Sequence, residues 1–166
     1  MQRPPTDFVE ILKVLAAHGV EYIVVGGVSA VLQGAPMTTF DLDLVHSRST
    51  ENIERLLRAL DALDAHARGR SGPRVRPDRS HLESPGHQLL MTSQGPLDLL
   101  GAVGGNRDYQ DLLAHCVELR VGEMVVRVID LDTLIELKEA AGREKDKATL
   151  DILRRTRDEA RRSDGN

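Results

Sequence analysis

At 166 residues the chain is long enough for one domain with a real core. Its aromatics are nearly absent (Trp 0, Tyr 2, Phe 2), so it lacks the stacking platforms of a dedicated single-strand nucleic-acid binder, and a net charge of −4 supplies no general basic field for nucleic acid. The single Cys116 excludes an internal disulfide framework and a multi-cysteine zinc site, no apolar run reaches membrane-spanning length, and Met1–Pro5 leads straight into an amphipathic segment rather than a signal peptide, so the expected address is the cytoplasm, with no membrane partner.

In chain order, Asp7 to His18 reads as a helix, capped by Asp7, with Phe8, Ile11, Leu12 and Leu15 on one face and Gly19 as its stop. Glu21 to Val25 is an apolar strand, Gly26-Gly27 a turn, and Ser29 to Gln33 a short helix stopped by Gly34. A second strand through Val45 carries Asp41 and Asp43. Ser49 or Thr50 caps a helix to about Asp64, whose buried stripe is Ile53, Leu56, Leu57, Leu60 and Leu63. Residues 66–87, rich in Gly, Pro and Arg, show no sustained period and read mostly as loop. Gln88 to Thr92 and Pro96 to Leu100 are candidate strands, Tyr109 to His115 a helix, and Val117 to Val121 with Met124 to Ile129 a hairpin across Gly122-Glu123. Asp130 or Asp132 caps a helix to Ala141, stopped by Gly142. A last helix runs from about Lys145 to Arg162, and Ser163 to Asn166 should fray. There is no internal repeat and no clear linker. The sum is a single α/β (α+β) domain, a mixed sheet flanked by helices.

Two features suggest chemistry. Side chains alternate along a strand, so Asp41 and Asp43 share a side while Leu42 and Leu44 share the other. Two ionised carboxylates about 5 Å apart repel by roughly 3 kcal/mol at an effective dielectric near 20. Solvent or a cation must offset that repulsion, and oxygen-only ligands suit Mg²⁺ or Mn²⁺. Upstream, Gly26-Gly27 allows the backbone to approach a ligand closely, and the helix beyond would present free N–H groups to an anion. A phosphate cradle beside a divalent-metal pair is chemistry suited to a nucleoside triphosphate. Asp98 interrupts the apolar run Pro96-Leu97-Asp98-Leu99-Leu100, where a lone buried charge would be expensive, so it belongs at a wet strand end or beside a cation.

The stretches GGVSAVLQGAPMTTFDLDLV, GPLDLLG (95–101) and LIELKEAAGREKDKATLDILRR (134–155) together resemble, in order, the DNA polymerase β-type nucleotidyltransferase superfamily, and within it the small AbiEii-type toxin nucleotidyltransferases. The resemblance implies the nucleotidyltransferase fold and transfer of a nucleoside monophosphate from an NTP to an acceptor hydroxyl, with Mg²⁺ or Mn²⁺ as cofactor. It makes Asp41, Asp43 and Asp98 the metal-binding and catalytic carboxylates, Asp98 taking the proton of the attacking hydroxyl. Gly26, Gly27, Ser29 and Thr39 would cradle phosphate, and Lys138 and Lys145, in the family's Lys…Gly-Arg-x-Lys-Asp element with Arg143 and Asp146, would meet the triphosphate. It suggests tRNA as one acceptor, a protein hydroxyl or an aminoglycoside-like small molecule as others, and an antitoxin partner. The chain departs from the family at two places: relatives often have Ser directly after the first glycine, where Gly27 stands here, and Arg where Met37 stands.

Without the resemblance the residues have plainer readings: Asp41 and Asp43 as carboxylates facing water, the glycines as an ordinary turn, Thr38 and Thr39 as β-formers. Lys138 and Lys145 would be members of a solvated helix pair whose ion pairs are worth about 0.3–0.5 kcal/mol each. Arg68, Arg70, Arg74, Arg76 and Arg79 form the one local basic patch, able to meet an acceptor's phosphates or simply a mobile charged loop. His81 and His87 read as loop residues. The rival function is a catalytically silent nucleotide-binding or protein-interaction module on the same fold, favoured by Met37 and Gly27. A nucleic-acid-binding regulator is a third, weakened by the missing basic face and stacking aromatics.

Overall fold

The computed structural model describes residues 6–69 and 71–165. The signal-peptide reading on Met1–Pro5, the Arg70 member of the basic patch and Asn166 of the tail therefore lie outside the described residues. In chain order the elements are α1 (Phe8–Ala17), β1 (Tyr22–Val25), α2 (Gly26–Leu32), β2 (Leu42–His46), α3 (Thr50–Ala62), β3 (His66–Ala67) and α4 (Arg79–Glu83). They continue with β4 (His87–Thr92), β5 (Gly95–Leu100), α5 (Tyr109–Leu112), β6 (Cys116–Val121), β7 (Met124–Ile129), α6 (Leu131–Ala141) and α7 (Lys147–Asp164). The strands form one mixed sheet in the order β3-β4-β5-β2-β1-β7-β6. β1 runs antiparallel to β2 and parallel to β7, β2 runs parallel to β5, and β3–β4, β4–β5 and β6–β7 are antiparallel.

Local chemistry accounts for most boundaries. Asp7 accepts the Glu10 N–H at 3.0 Å to start α1, and Gly19 ends it at φ +69°. Of the paired cap candidates, Ser49 serves α3 and Asp130 serves α6, accepting the Thr133 N–H at 2.7 Å. Alternation splits the central strands between two cores. Val24, Leu42, Leu44, Leu97, Leu99 and Val128 face α1, α3 and Leu82 of α4. Ile23, Val25, Val45 and Ile129 face α5, α6 and α7. The charged residues of β2 and β5 lie on this second side.

Two expectations are corrected and one is refined. α2 begins at Gly26, directly from β1, because a positive φ of 66° at Gly26 turns the chain without a connecting loop. The stretch 66–87 is mostly loop, as expected, yet it holds β3, paired His66↔Met91 and Ala67↔Leu90, and α4, pinned by the fully buried Leu82. Three of its arginines are paired as well, Arg74 and Arg76 to Asp64 at 3.1 and 2.6 Å and Arg79 to Glu54 at 3.3 Å. Single anchors and ion pairs leave no hydrophobic period to read. At the C-terminus a 3-10 turn over Glu144–Asp146 precedes α7, which continues to Asp164 rather than fraying at Ser163.

Candidate active site

Register places the chemistry. Val25 of β1 pairs with Asp43, Asp43 pairs with Asp98 of β5, and Asp98 pairs with Leu89 of β4. Directly paired residues point to the same face, so the two aspartates stand side by side on the α6 side of the sheet. Asp41, one step before β2, is half-buried on the same parity. Burial first, then the charge and a hydrogen bond of Asp98, then the charge of Asp41, push the Asp43 carboxyl up to about 7, against a smaller opposing pull from Lys138. Burial and two neighbouring carboxylates thus make the charged form of Asp43 costly, with Lys138 offsetting only part of that cost.

The glycine turn is packed against this cluster. A methyl on Gly26 would collide with Asp43, reaching 3.1 Å from its Cγ, and one on Gly27 would stand 2.5 Å from Thr39 Oγ1. Both positions need glycine for that approach alone, and the approach brings the turn's backbone beside the carboxylates. Thr39 otherwise makes only a long 3.5 Å contact to the Asp41 carbonyl. Ser29 is placed elsewhere than expected: it is fully buried, and its hydroxyl donates to the Gly26 carbonyl at 2.5 Å. It braces the turn and offers no exposed hydroxyl to a phosphate.

Gly26 and Asp43 open into a cleft of about 630 Å³, whose far wall is α6 with Lys138, followed by Arg143. Lys138 lies 3.5 Å and Arg143 2.9 Å from the carboxylate of Asp146, whose side chain is 8% exposed. Burial pushes the Asp146 carboxyl up, but Lys138 and Arg143 pull it further down, below the usual range. The sequence element was visible; its organisation around Asp146 was not. Lys145 sits exposed on the 3-10 turn, outside the cleft wall. His87, expected in a loop, opens β4 and lines the cleft, 3.1 Å from the Ala102 carbonyl. The loop Gly104-Gly105 lines it too. Sequence reasoning placed neither at the site, for nothing local marks them.

Arg68, expected only as a member of the basic patch, is tied to the acidic pair. It leaves the end of β3, receives its backbone register from Leu89, and donates to Asp98 Oδ1 and to the Leu90 carbonyl, both at 2.9 Å. The side chains of Arg68 and Asp98 are 24% and 13% exposed. Among the five arginines of the patch, its attachment directly after a two-residue strand was the signal hidden in the loop.

With this geometry in hand, comparison with solved structures is informative. A candidate nucleotidyltransferase from Thermotoga maritima is 18% identical, covers 90% of this chain and 92% of its own, and superposes with a TM-score of 0.58. The lincosamide antibiotic adenylyltransferase LnuA, solved with lincomycin, is 13% identical over 91% of this chain and 98% of its own, with a TM-score of 0.62. The antibiotic-resistance factor ANT(2'')-Ia, also solved with adenylyl-2''-tobramycin, is 13% identical, with TM-scores of 0.55 and 0.57. It covers 87% and 89% of this chain in its two structures, and 79% and 84% of its own. The fold is that of the nucleotidyltransferases. No protein-family model and no curated protein matches the sequence.

In the nucleotidyltransferase fold found here, the donor set can be tested against a divalent cation. Among the described residues no group of three or more His, Cys, Asp and Glu side chains is gathered for metal binding, so Asp41 does not complete a ready cage. Asp43 and Asp98 do meet, as hard oxygen donors whose mutual repulsion a cation would relieve. Mg²⁺ characteristically takes one or two carboxylates and completes its shell with water and substrate phosphate, so the pair fits that ion without a preformed cage. Among the described residues, no helix is long and apolar enough to cross a membrane.

Proposed function

We propose that the protein is a metal-dependent nucleotidyltransferase that moves a nucleoside monophosphate from an NTP to an acceptor hydroxyl. The observation that carries this reading is the in-register pair Asp43 and Asp98, of which Asp43 lines a cleft whose walls also hold Gly26 and Lys138. Asp43 and Asp98, with Asp41 beside them, would hold Mg²⁺ or Mn²⁺. The ion would supply charge neutralisation at the phosphates when bound. The turn Gly26-Gly27, narrowed by Thr39, keeps the triphosphate close to the carboxylates, and Lys138, held in place by Asp146, balances its charge. The acceptor oxygen attacks the α-phosphorus, the bond from that phosphorus to the bridging oxygen breaks, and pyrophosphate leaves. The hydroxyl proton passes to Asp98. Lys145 can join only from outside the cleft wall.

The AbiEii-type likeness supports tRNA as acceptor and a toxin paired with an antitoxin in the cytoplasm. A protein hydroxyl is the other candidate, and the antibiotics bound by LnuA and ANT(2'')-Ia illustrate small hydroxyl acceptors. The ion pair between Arg68 and Asp98 favours a second reading, a silent nucleotide-binding module, because it occupies an oxygen that the reaction needs. Incubation with each α-labelled NTP, Mg²⁺ or Mn²⁺ and fractionated cell lysate separates the two. Transfer of label, reduced about 10²–10⁴-fold in Asp98→Asn, supports the enzyme. Binding of NTP by thermal shift with no movement of label establishes the silent module.

A further inference from the structure

Beyond Asp98, away from Gly26, lies a second cleft of about 340 Å³ that shares no wall residue with the first. Among the described residues its titratable lining is Arg68, Arg74 and His66, with no acidic side chain, and Gly69 and Gly72 form part of its rim. Arg68 belongs to both places: its backbone lies at the β3–β4 edge, and its guanidinium reaches across the sheet to Asp98 at 2.9 Å. Arg74 is bound to Asp64 at 3.1 Å, but Arg76 holds the same carboxylate at 2.6 Å. Asp64 thus stays neutralised if Arg74 turns toward a ligand. Between the two clefts Leu89, paired with Asp98, is 48% exposed and leaves the sheet surface open.

We infer that this basic cleft binds a phosphate group carried by the acceptor, with Arg68 bridging that phosphate to Asp98. The inference rests on the transferase reading of Asp43 and Asp98, and deepens it by naming the acceptor's chemistry. In-line displacement puts the attacking and leaving oxygens on opposite sides of the phosphorus. With pyrophosphate leaving toward Gly26 and Lys138, the acceptor enters from the opposite side, over β5 and β4. From Asp98 on β5 to β3 is two strand spacings, about 10 Å, room for a sugar whose hydroxyl meets Asp98 while its phosphate reaches Arg68 and Arg74. An arginine fork suits a phosphate, and the carboxylates paired with the two arginines, Asp98 and Asp64, lie beside the cleft lining rather than in it.

The test uses Arg74→Ala and Arg68→Lys, both checked for unchanged thermal unfolding, with three probes: a labelled hexaribonucleotide, ribose 5-phosphate, and ATP with Mg²⁺. Binding of the hexaribonucleotide should weaken about 3–10-fold in Arg74→Ala, with a salt slope shallower by about 0.7 because one phosphate fewer is neutralised. The affinity for ATP in the same variant should stay within about two-fold. If ribose 5-phosphate displaces the hexaribonucleotide, the phosphate comes from a small sugar phosphate; if it does not, from a polynucleotide; either supports the cleft. Oligonucleotide binding equal in parent and variants overturns it, as does an ATP affinity that falls by the same factor. ATP that fails to bind the parent at all sinks the transferase reading instead, and leaves the oligonucleotide result to speak for the cleft alone.

Discussion

The two faces of β2 and β5 make an instructive contrast, because they are built from the same strands in the same register. On one face Leu42, Leu44, Leu97 and Leu99 are fully buried against α1 and α3. On the other, one residue out of step, Asp43 and Asp98 stand together with Asp41 nearby, and burial and neighbouring charge drive Asp43 up to about 7. The leucine face is arranged for stability alone. The aspartate face holds repulsion that the protein's own cations only partly relieve, which is the condition expected where a ligand completes the structure.

The sharpest way to test that contrast is to damage the leucine face. Leu97→Ala removes a fully buried side chain at the centre of the first core and should lower stability by about 2–5 kcal/mol in a urea titration. Asp98→Asn, its neighbour on β5, should lose far less stability while losing transfer activity. Equal losses from the two would show that both faces serve packing.

The next effect has the opposite sign. The folded-state pKa of Asp43 is raised above its ordinary 3.8, so the folded protein favours the protonated form. Its contribution is fully present below about pH 4 and is lost as pH rises through about 7. Asp43→Asn should therefore be more stable than the parent at pH 8 without divalent cation, by about 1–3 kcal/mol, and the difference should shrink by pH 5. Added Mg²⁺ should stabilise the parent and not the variant, closing the gap at pH 8. A parent that is the more stable of the two at pH 8 in chelator removes the case for unrelieved charge.

A smaller effect concerns the turn. Gly27→Ala puts a methyl 2.5 Å from Thr39 Oγ1 and 2.9 Å from its Cβ, so the loop must shift, at about 1–3 kcal/mol. Thr39→Ala removes the nearer atom and should restore part of that loss in the double variant. Purely additive losses would mean that the two do not press on one another.

These particulars also show which features the amino-acid order discloses. The apolar strand, the glycine pair and the acidic strand were legible because alternation and φ preference are properties of adjacent residues. Asp98 was recognisable as a charge out of place in an apolar run, and the register now seats it beside Asp43. Arg68 was legible only as one arginine of a basic patch; its pairing with Asp98 was not, since that partner is thirty residues away and the loop has no period. Ser29 was misjudged for the reverse reason: a hydroxyl two places after a glycine pair looks free in sequence, whereas one helical turn folds it back onto the Gly26 carbonyl. His87 gains its position at the cleft from long-range strand pairing, which no local pattern announces, whereas Asp146 is fixed by near neighbours, Arg143 and Lys138, whose meeting depends on the turn between two helices.

The last prediction uses His46, at the far end of β2 from Asp43. Its Nε2 contacts the Leu82 carbonyl at 2.8 Å, and Nδ1 has no hydrogen-bond partner among the described residues. Burial pushes its pKa down, the bond to Leu82 opposes that, and Arg48 adds to the lowering, so the fold favours the neutral ring. A histidine with a lowered folded-state pKa gives stability that is whole above its ordinary 6.5 and is lost as pH falls below it, because the unfolded chain takes up the proton first. That sign is opposite to the one for Asp43, so the two partly cancel in the parent. In an Asp43→Asn background the histidine is isolated, and stability should fall between pH 6.5 and 5 with a slope of at most one proton, about 1.4 kcal/mol per pH unit. His46→Gln in the same background keeps a donor for the Leu82 carbonyl without a titrating ring and should flatten that slope. If the slope survives the substitution, the acid sensitivity belongs to another group, and the His46 end of β2 is as electrostatically quiet as its leucine face.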